Sequence, residues 1–320
     1  MKIISQKRKK LKKTKKMMKN KKIKKQYGGR SQKNKSNKLK KLQCSPKDKN
    51  KINKFSCYTD ETLIKLRDLW NERHPDNLIK TNNTQEIHKK LANNLSNVCN
   101  KESCWLKQKF TNHKLDDQFS DSFAPESPDE WKKNPNEWLT SSDIINVMKQ
   151  YEKAYKCFDF IGPSPIDFDT KKMFGECVWD ELCNFNLAEQ IKDGKTKIGM
   201  IFNTHPHTKP GEHWLSMFIN IKKGKIFFFD SVGNKIPEQI MALVNRIIEQ
   251  GNNLNPKINF IFDQNYPVEH QYENTECGIY SLYFIIHMLE DKITEHYLKT
   301  HILRDEYIEK FRKIYFNDDL

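Results

Sequence analysis

No stretch of about 18 consecutive apolar residues occurs in this 320-residue chain, and its start has no apolar core of the kind a secretory signal needs. Neither a membrane span nor secretion is expected, and an intracellular, soluble protein is. Acid is all but missing from the first 54 positions, where Asp48 stands against 24 Lys and Arg, and aromatics are missing too, apart from Tyr27. Such a segment cannot bury enough apolar surface to offset the entropy of ordering, so residues 1–54 are expected to be a disordered, Lys-rich tail. The formal net charge of +16 therefore belongs to an appendage: positions 55–320 hold 33 basic and 40 acidic residues, a mildly acidic folded part. Cysteine is sparse as well. Eight residues (44, 57, 99, 104, 157, 177, 183 and 277) are too few and too irregular for a disulfide framework, so mostly free thiols are expected. Cys99 with Cys104 and Cys177 with Cys183 lack a matching second pair, which argues against structural zinc.

What is present begins at Phe55. Thr59-Asp60-Glu61-Thr62 precedes Leu63, Leu66, Leu69 and Trp70 at helical spacing, a capped amphipathic helix, and a second helix runs from Thr84 through Ile87, Leu91 and Leu95. Cys99 to Phe110 reads as a third short helix, and Ser120 to Asn136, with its three prolines, as a connection. Residues 55–135 then form a helical arm, and residues 136–320 a second domain. In that domain a helix follows Trp138-Leu139-Thr140. Lys197–Asn203, Trp214–Ile221 and Lys225–Asp230 are rich in β-formers, and Lys222-Lys223-Gly224 joins the last two as a tight hairpin. Ile236–Gln250 is expected to be a helix, Ile258–Asp263 a strand, and Cys277–Leu289 a strongly apolar helix.

One group of residues carries chemistry. A cysteine nucleophile works as its thiolate, which a free thiol supplies poorly at neutral pH. Cys277 opens a predicted helix, where unpaired N–H groups and the positive dipole end favour an anion, and Gly278 lets the backbone approach a substrate carbonyl. His213 closes a Pro- and Gly-containing loop at the mouth of a strand, in place for a general base. Asp230 ends the next strand, 17 positions on, and antiparallel pairing brings it beside His213, where a carboxylate would fix the imidazole tautomer. Gln271, six residues before Cys277, can offer its amide N–H₂ with the Cys277 backbone N–H as an oxyanion hole. Trp214, next to His213, reads as core. His205-Pro206-His207 with His213 completes no familiar metal spacing, so neither metal nor cofactor is expected.

The order His213-Trp214, Asp230 at a strand end, then Gln271 six residues before Cys277-Gly278-Ile279-Tyr280 resembles the ubiquitin-like-protein-processing peptidases and the adenovirus-type proteases. Trp138-Leu139, the helix after it and Phe160-Ile161-Gly162-Pro163-Ser164-Pro165-Ile166-Asp167-Phe168 resemble most the polyprotein-processing thiol proteases of nucleocytoplasmic large DNA viruses. Residues 138–300 carry the likeness, and the helical module before them is similar in kind to the arm of the swine-fever-virus-type member. The resemblance implies an α+β cysteine-peptidase core with a central, mainly antiparallel sheet between helices, preceded by the arm and the basic tail. It implies a triad of Cys277, His213 and Asp230 with Gln271 in the oxyanion hole. Some viral relatives have Asn in the third place; Asp230 suits imidazolium stabilisation at least as well.

The implied activity is an endopeptidase that cuts viral structural polyproteins after small residues, of Gly-Gly-Xaa type, in the virion and the host cytoplasm where particles assemble. An isopeptidase acting on host ubiquitin-like conjugates is the alternative within enzymes. A nucleic-acid-binding virion protein, contacting phosphates non-specifically through residues 1–54, is the alternative of another class. Gly28-Gly29-Arg30 is a candidate self-cleavage site in the tail.

Overall fold

Three of the long helices begin where a side-chain oxygen takes up an orphan N–H. Thr59 caps Asp60–Arg73 (α1) by accepting from Thr62 N, Asn83 caps Thr84–Leu95 (α2), and Thr140 with Asp143 forms a full capping box before Ser141–Ala154 (α3). Each such cap stabilises its helix by about 1 kcal/mol. The structure, a computed structural model, describes residues 43–46, 53–111 and 122–317, which lie in one compact unit. Most of the tail, with its candidate Gly28-Gly29 site, lies outside the described residues.

Five strands form one mixed sheet in sequential order: Phe158–Pro165 (β1), Lys197–Asn203 (β2), Trp214–Asn220 (β3), Lys225–Phe229 (β4) and Ile261–Gln264 (β5). The three central strands are antiparallel, and both edge strands pair parallel to their neighbours. Residues 158–168 hold a strand that the sequence hides. Pro163 and Pro165 remove ladder donors, and the register shifts between Ile161 and Ser164 around Gly162, whose φ of +109° favours glycine. At the edge of the sheet these departures are tolerated.

Alternation along the central strands sends side chains to two cores. Phe218, Phe227 and Phe229 face Cys277–Leu289 (α5), while Met217, Ile226 and Phe228 face Ile240, Leu243, Val244 and Ile247 of Glu238–Asn253 (α4). The sheet thus lies between helices, and α5, apolar on every side, is buried over nearly its whole length. A third cluster, from Cys57 to Phe123, is the core of the arm around α1, α2 and Trp105. The expected third arm helix is a pair of 3₁₀ segments, Glu102–Lys107 and Lys109–Thr111.

The expectation of mostly free thiols is overturned. Cys44–Cys57, Cys99–Cys104 and Cys177–Cys183 are disulfides with Cα–Cα separations of 5.2, 5.5 and 6.2 Å, and Cys157 and Cys277 are free. Partners lie 5 to 13 positions apart, so local turns bring them within bridging distance and no wider framework is needed. Cys44 and its neighbours also depart from the disorder expected there. Cys44 bridges to Phe123, and Ser45 N donates to Ser122 O, which seats this segment on the arm.

Candidate active site

Antiparallel register does here what the sequence spacing anticipates. Ser216 pairs with Phe229, so the start of β3 lies beside the end of β4, and His213 Nε2 meets Asp230 Oδ1 at 2.7 Å. The loop that delivers His213 is closed at its base by Thr204 N donating to the His213 carbonyl. Asn203 Oδ1 braces it by accepting from the N–H groups of His205 and Glu212. His205 pairs with Glu212 and His207 with Asp167, so each turns to its own carboxylate rather than to His213.

Asp230 is buried and held by more than its imidazole. Its Oδ1 also accepts from Val232 N and its Oδ2 from Asn234 N, so a tight turn supplies backbone donors to the carboxylate. The turn needs Gly233, whose φ is +72° and where a Cβ would lie 2.8 Å from the Val268 carbonyl. Asn265, fully buried, grips the Asp230 backbone from both sides, accepting from its N–H and donating to its C=O. The neighbouring Ser231 fixes Gln271: Ser231 Oγ donates to Gln271 Oε1 at 2.7 Å, and Ser231 O accepts the Gln271 N–H. Gln271 Nε2 donates to Glu273 O.

Cys277 is the first residue of α5, 2% exposed, and lies close enough to the His213 imidazole to favour its charged form. With Nε2 engaged by Asp230, the nitrogen left for sulfur is Nδ1. Burial of the ring opposes its charged form, yet the hydrogen bond to Asp230 and the nearby Cys277 outweigh that, and the His213 pKa is pushed up to about 10. The imidazole is therefore an imidazolium at neutral pH, the partner a thiolate requires.

Gly278 has a packing task as well. A Cβ there would lie 3.0 Å from Leu139 Cβ, so the missing side chain makes room for Leu139. Leu139 in turn accepts from Trp214 Nε1 at 3.0 Å, which gives the buried tryptophan the polar partner its indole needs and joins the strand of His213 to the helix of Cys277. All four expected residues are thus gathered at one end of the sheet. Their supports, Ser231 and Asn265, escaped the sequence reading, because a serine and an asparagine in turns are common and only the fold shows what they hold.

Residues 146–320 match the Ulp1 protease family, C-terminal catalytic domain. A thiol protease of Acanthamoeba polyphaga mimivirus is 29% identical over 240 residues, which cover 72% of this chain and 74% of the relative. A cysteine protease of African swine fever virus, from a tick isolate of Malawi, is 26% identical over 182 residues, covering 54% of this chain and 66% of the relative. The crystal structure of an African swine fever virus protease has the same fold, with a TM-score of 0.62 at 19% identity over 87% of this chain and 96% of that one. That extent reaches beyond the matched catalytic region.

Proposed function

This chain belongs to the Ulp1 protease family of cysteine peptidases, and from that premise we propose that it is a viral endopeptidase that cuts structural polyprotein precursors after small residues. The observation that carries this reading is His213, hydrogen-bonded to a buried carboxylate and beside a cysteine at a helix start. In the proposed reaction the Cys277 thiolate attacks the scissile carbonyl carbon, and the oxyanion forms against the Cys277 N–H and Gln271 Nε2. His213 gives its proton to the leaving amine, which departs and leaves a thioester. Water then attacks the thioester, His213 takes the water's proton, and the thiolate leaves. Asp230 stays ionised and holds the imidazolium.

The proposed setting, a virion and its cytoplasmic assembly site, and the preference for Gly-Gly-Xaa both rest on the resemblance in the catalytic motif. The basic tail adds a proposed contact to nucleic acid. The decisive experiment incubates the full chain and its Cys277→Ala variant with Gly-Gly-Xaa peptides and with a folded ubiquitin-like conjugate, and reads products by mass spectrometry. Cleavage of the peptides by the wild type alone is expected. Equal cleavage by both proteins would remove the nucleophile, and cleavage of the conjugate alone would make the enzyme an isopeptidase.

A further inference from the structure

The residue before the nucleophile is a buried acid. Glu276 is 3% exposed and occupies the N-cap position of α5, yet its side chain makes no capping hydrogen bond. It turns instead to Arg312, 36 residues later. Arg312 Nε donates to both Glu276 oxygens at 3.1 and 2.9 Å, and Nη2 donates to Oε1 at 2.8 Å. The same guanidinium reaches three backbone carbonyls besides: Nη2 to Thr275 O at 3.2 Å and Asn136 O at 3.4 Å, and Nη1 to Glu137 O at 2.8 Å. Its flat face lies over Trp131 at 4.6 Å, and Arg312 is itself only 4% exposed.

Two physical consequences follow. An uncompensated carboxylate one residue from Cys277 would repel the thiolate, and burial would strengthen that repulsion. The planar fork of donors also ties together the turn into α5, the Asn136-Glu137 segment leading to Leu139, and the helix Arg312–Tyr315, which a lysine's point charge could not do. Leu139 is the residue that packs on Gly278.

We propose that Arg312 is a positioning residue for the nucleophile: through Glu276 and the Thr275 carbonyl it holds the turn into α5 in one conformation and keeps the adjacent carboxylate neutralised. This rests on the reading of Cys277 as the nucleophile. Three other charged groups near the turn are engaged elsewhere. Asp230 and His213 pair with each other, and Asp305 accepts from Tyr272 N, Glu273 N and the Tyr280 hydroxyl. Arg312 is thus the cation that answers Glu276.

The test uses the full chain with Arg312→Met, Arg312→Lys, Glu276→Gln and the Arg312→Met/Glu276→Gln pair. Three readouts are taken: kcat and KM on a cleaved peptide, the pH profile of Cys277 alkylation by iodoacetamide, and thermal melting. Mass spectrometry of the Cys277 peptide separates it from the exposed thiol of Cys157. Arg312→Met is expected to lower kcat by about 10- to 100-fold with KM changed by less than about threefold, as a displaced reacting group does. Its alkylation profile should move to higher pH, and adding Glu276→Gln should return the profile toward wild type while kcat stays low, because the Thr275 clamp is still missing. Should Arg312→Met not fold, Arg312→Lys, which keeps the charge, is expected to keep the alkylation profile and lose kcat. Wild-type kcat in a folded Arg312→Lys or Arg312→Met protein overturns the proposal. So does a loss that follows melting alone with an unmoved profile in Arg312→Met. An active Cys277→Ala protein defeats the underlying reading instead, which keeps the two failures apart.

Discussion

A histidine deep in a sheet end would ordinarily stay neutral, since burial penalises the charged ring. His213 keeps its proton because Asp230 stands 2.7 Å away, itself supplied with backbone donors and gripped by Asn265. The carboxylate is therefore fixed as an acceptor, and the ring's second nitrogen is left for Cys277. Asp230→Asn removes the charge while preserving the shape, so the imidazolium should release its proton at a pH below the wild-type value of about 10. The alkaline limb of kcat/KM should move down accordingly, with kcat reduced on the order of 10³–10⁴-fold. A pH–rate profile of the variant with an unchanged alkaline limb would show that another group sets it. The four candidate residues could be picked out in the sequence, because residue type, order and spacing single them out. Ser231, Asn265 and Arg312 were not, since each acts across 35 or more positions on a partner that only folding brings near.

The helix α5 delivers Cys277, and one of its contacts with the segment before α3 is especially close. Gly278 admits Leu139 so closely that a Cβ would sit 3.0 to 3.2 Å from three of its side-chain atoms. Gly278→Ala must push Leu139 and the Trp214 indole bonded to its carbonyl, and overpacking of this kind costs about 1–3 kcal/mol. A lower urea midpoint is expected, together with a lower kcat, and trimming the wedge with Leu139→Ala in the same chain should recover part of the kcat. No change in midpoint or activity would mean that the contact relaxes freely. Element ends were readable where a side chain caps them, as at Thr59 and Thr140, and α5 runs over the span its apolar residues predict. The edge strand β1 was not readable, because Pro163 and Pro165 contradict the local signal and only parallel pairing with β2 makes a strand of it.

Across the whole molecule, three histidines set opposing pH limits. His270, fully buried with Nδ1 accepting from Leu303 N, is pushed down to about 4 by burial, and His287, stacked on Tyr283, is held near the same value for the same reason. An unfolded histidine takes up its proton near pH 6.5, so these two contribute stability that is full above about 6.5 and lost as pH falls toward about 4. His213 works in the other direction: its raised pKa gives stability that is full below about 6.5 and lost as pH rises through about 10. The urea midpoint should therefore decline on both sides of neutrality, and His287→Gln should flatten the acid side; an acid side equally steep in that variant would assign the loss to other groups. None of these shifts was visible in the sequence, where nothing sets His270 and His287 apart from histidines on the surface. The sequence by itself determined where the basic charge lies, the long helices, the central strands and the choice of four candidate site residues, because composition, periodicity and motif order are local or one-dimensional signals. Only the tertiary structure decided the parallel edges of the sheet, the three disulfides, the packing role of Gly278 and the buried Arg312–Glu276 pair beside Cys277. Each of these depends on which distant surfaces meet and on how much water they exclude, and both are properties of the packed chain.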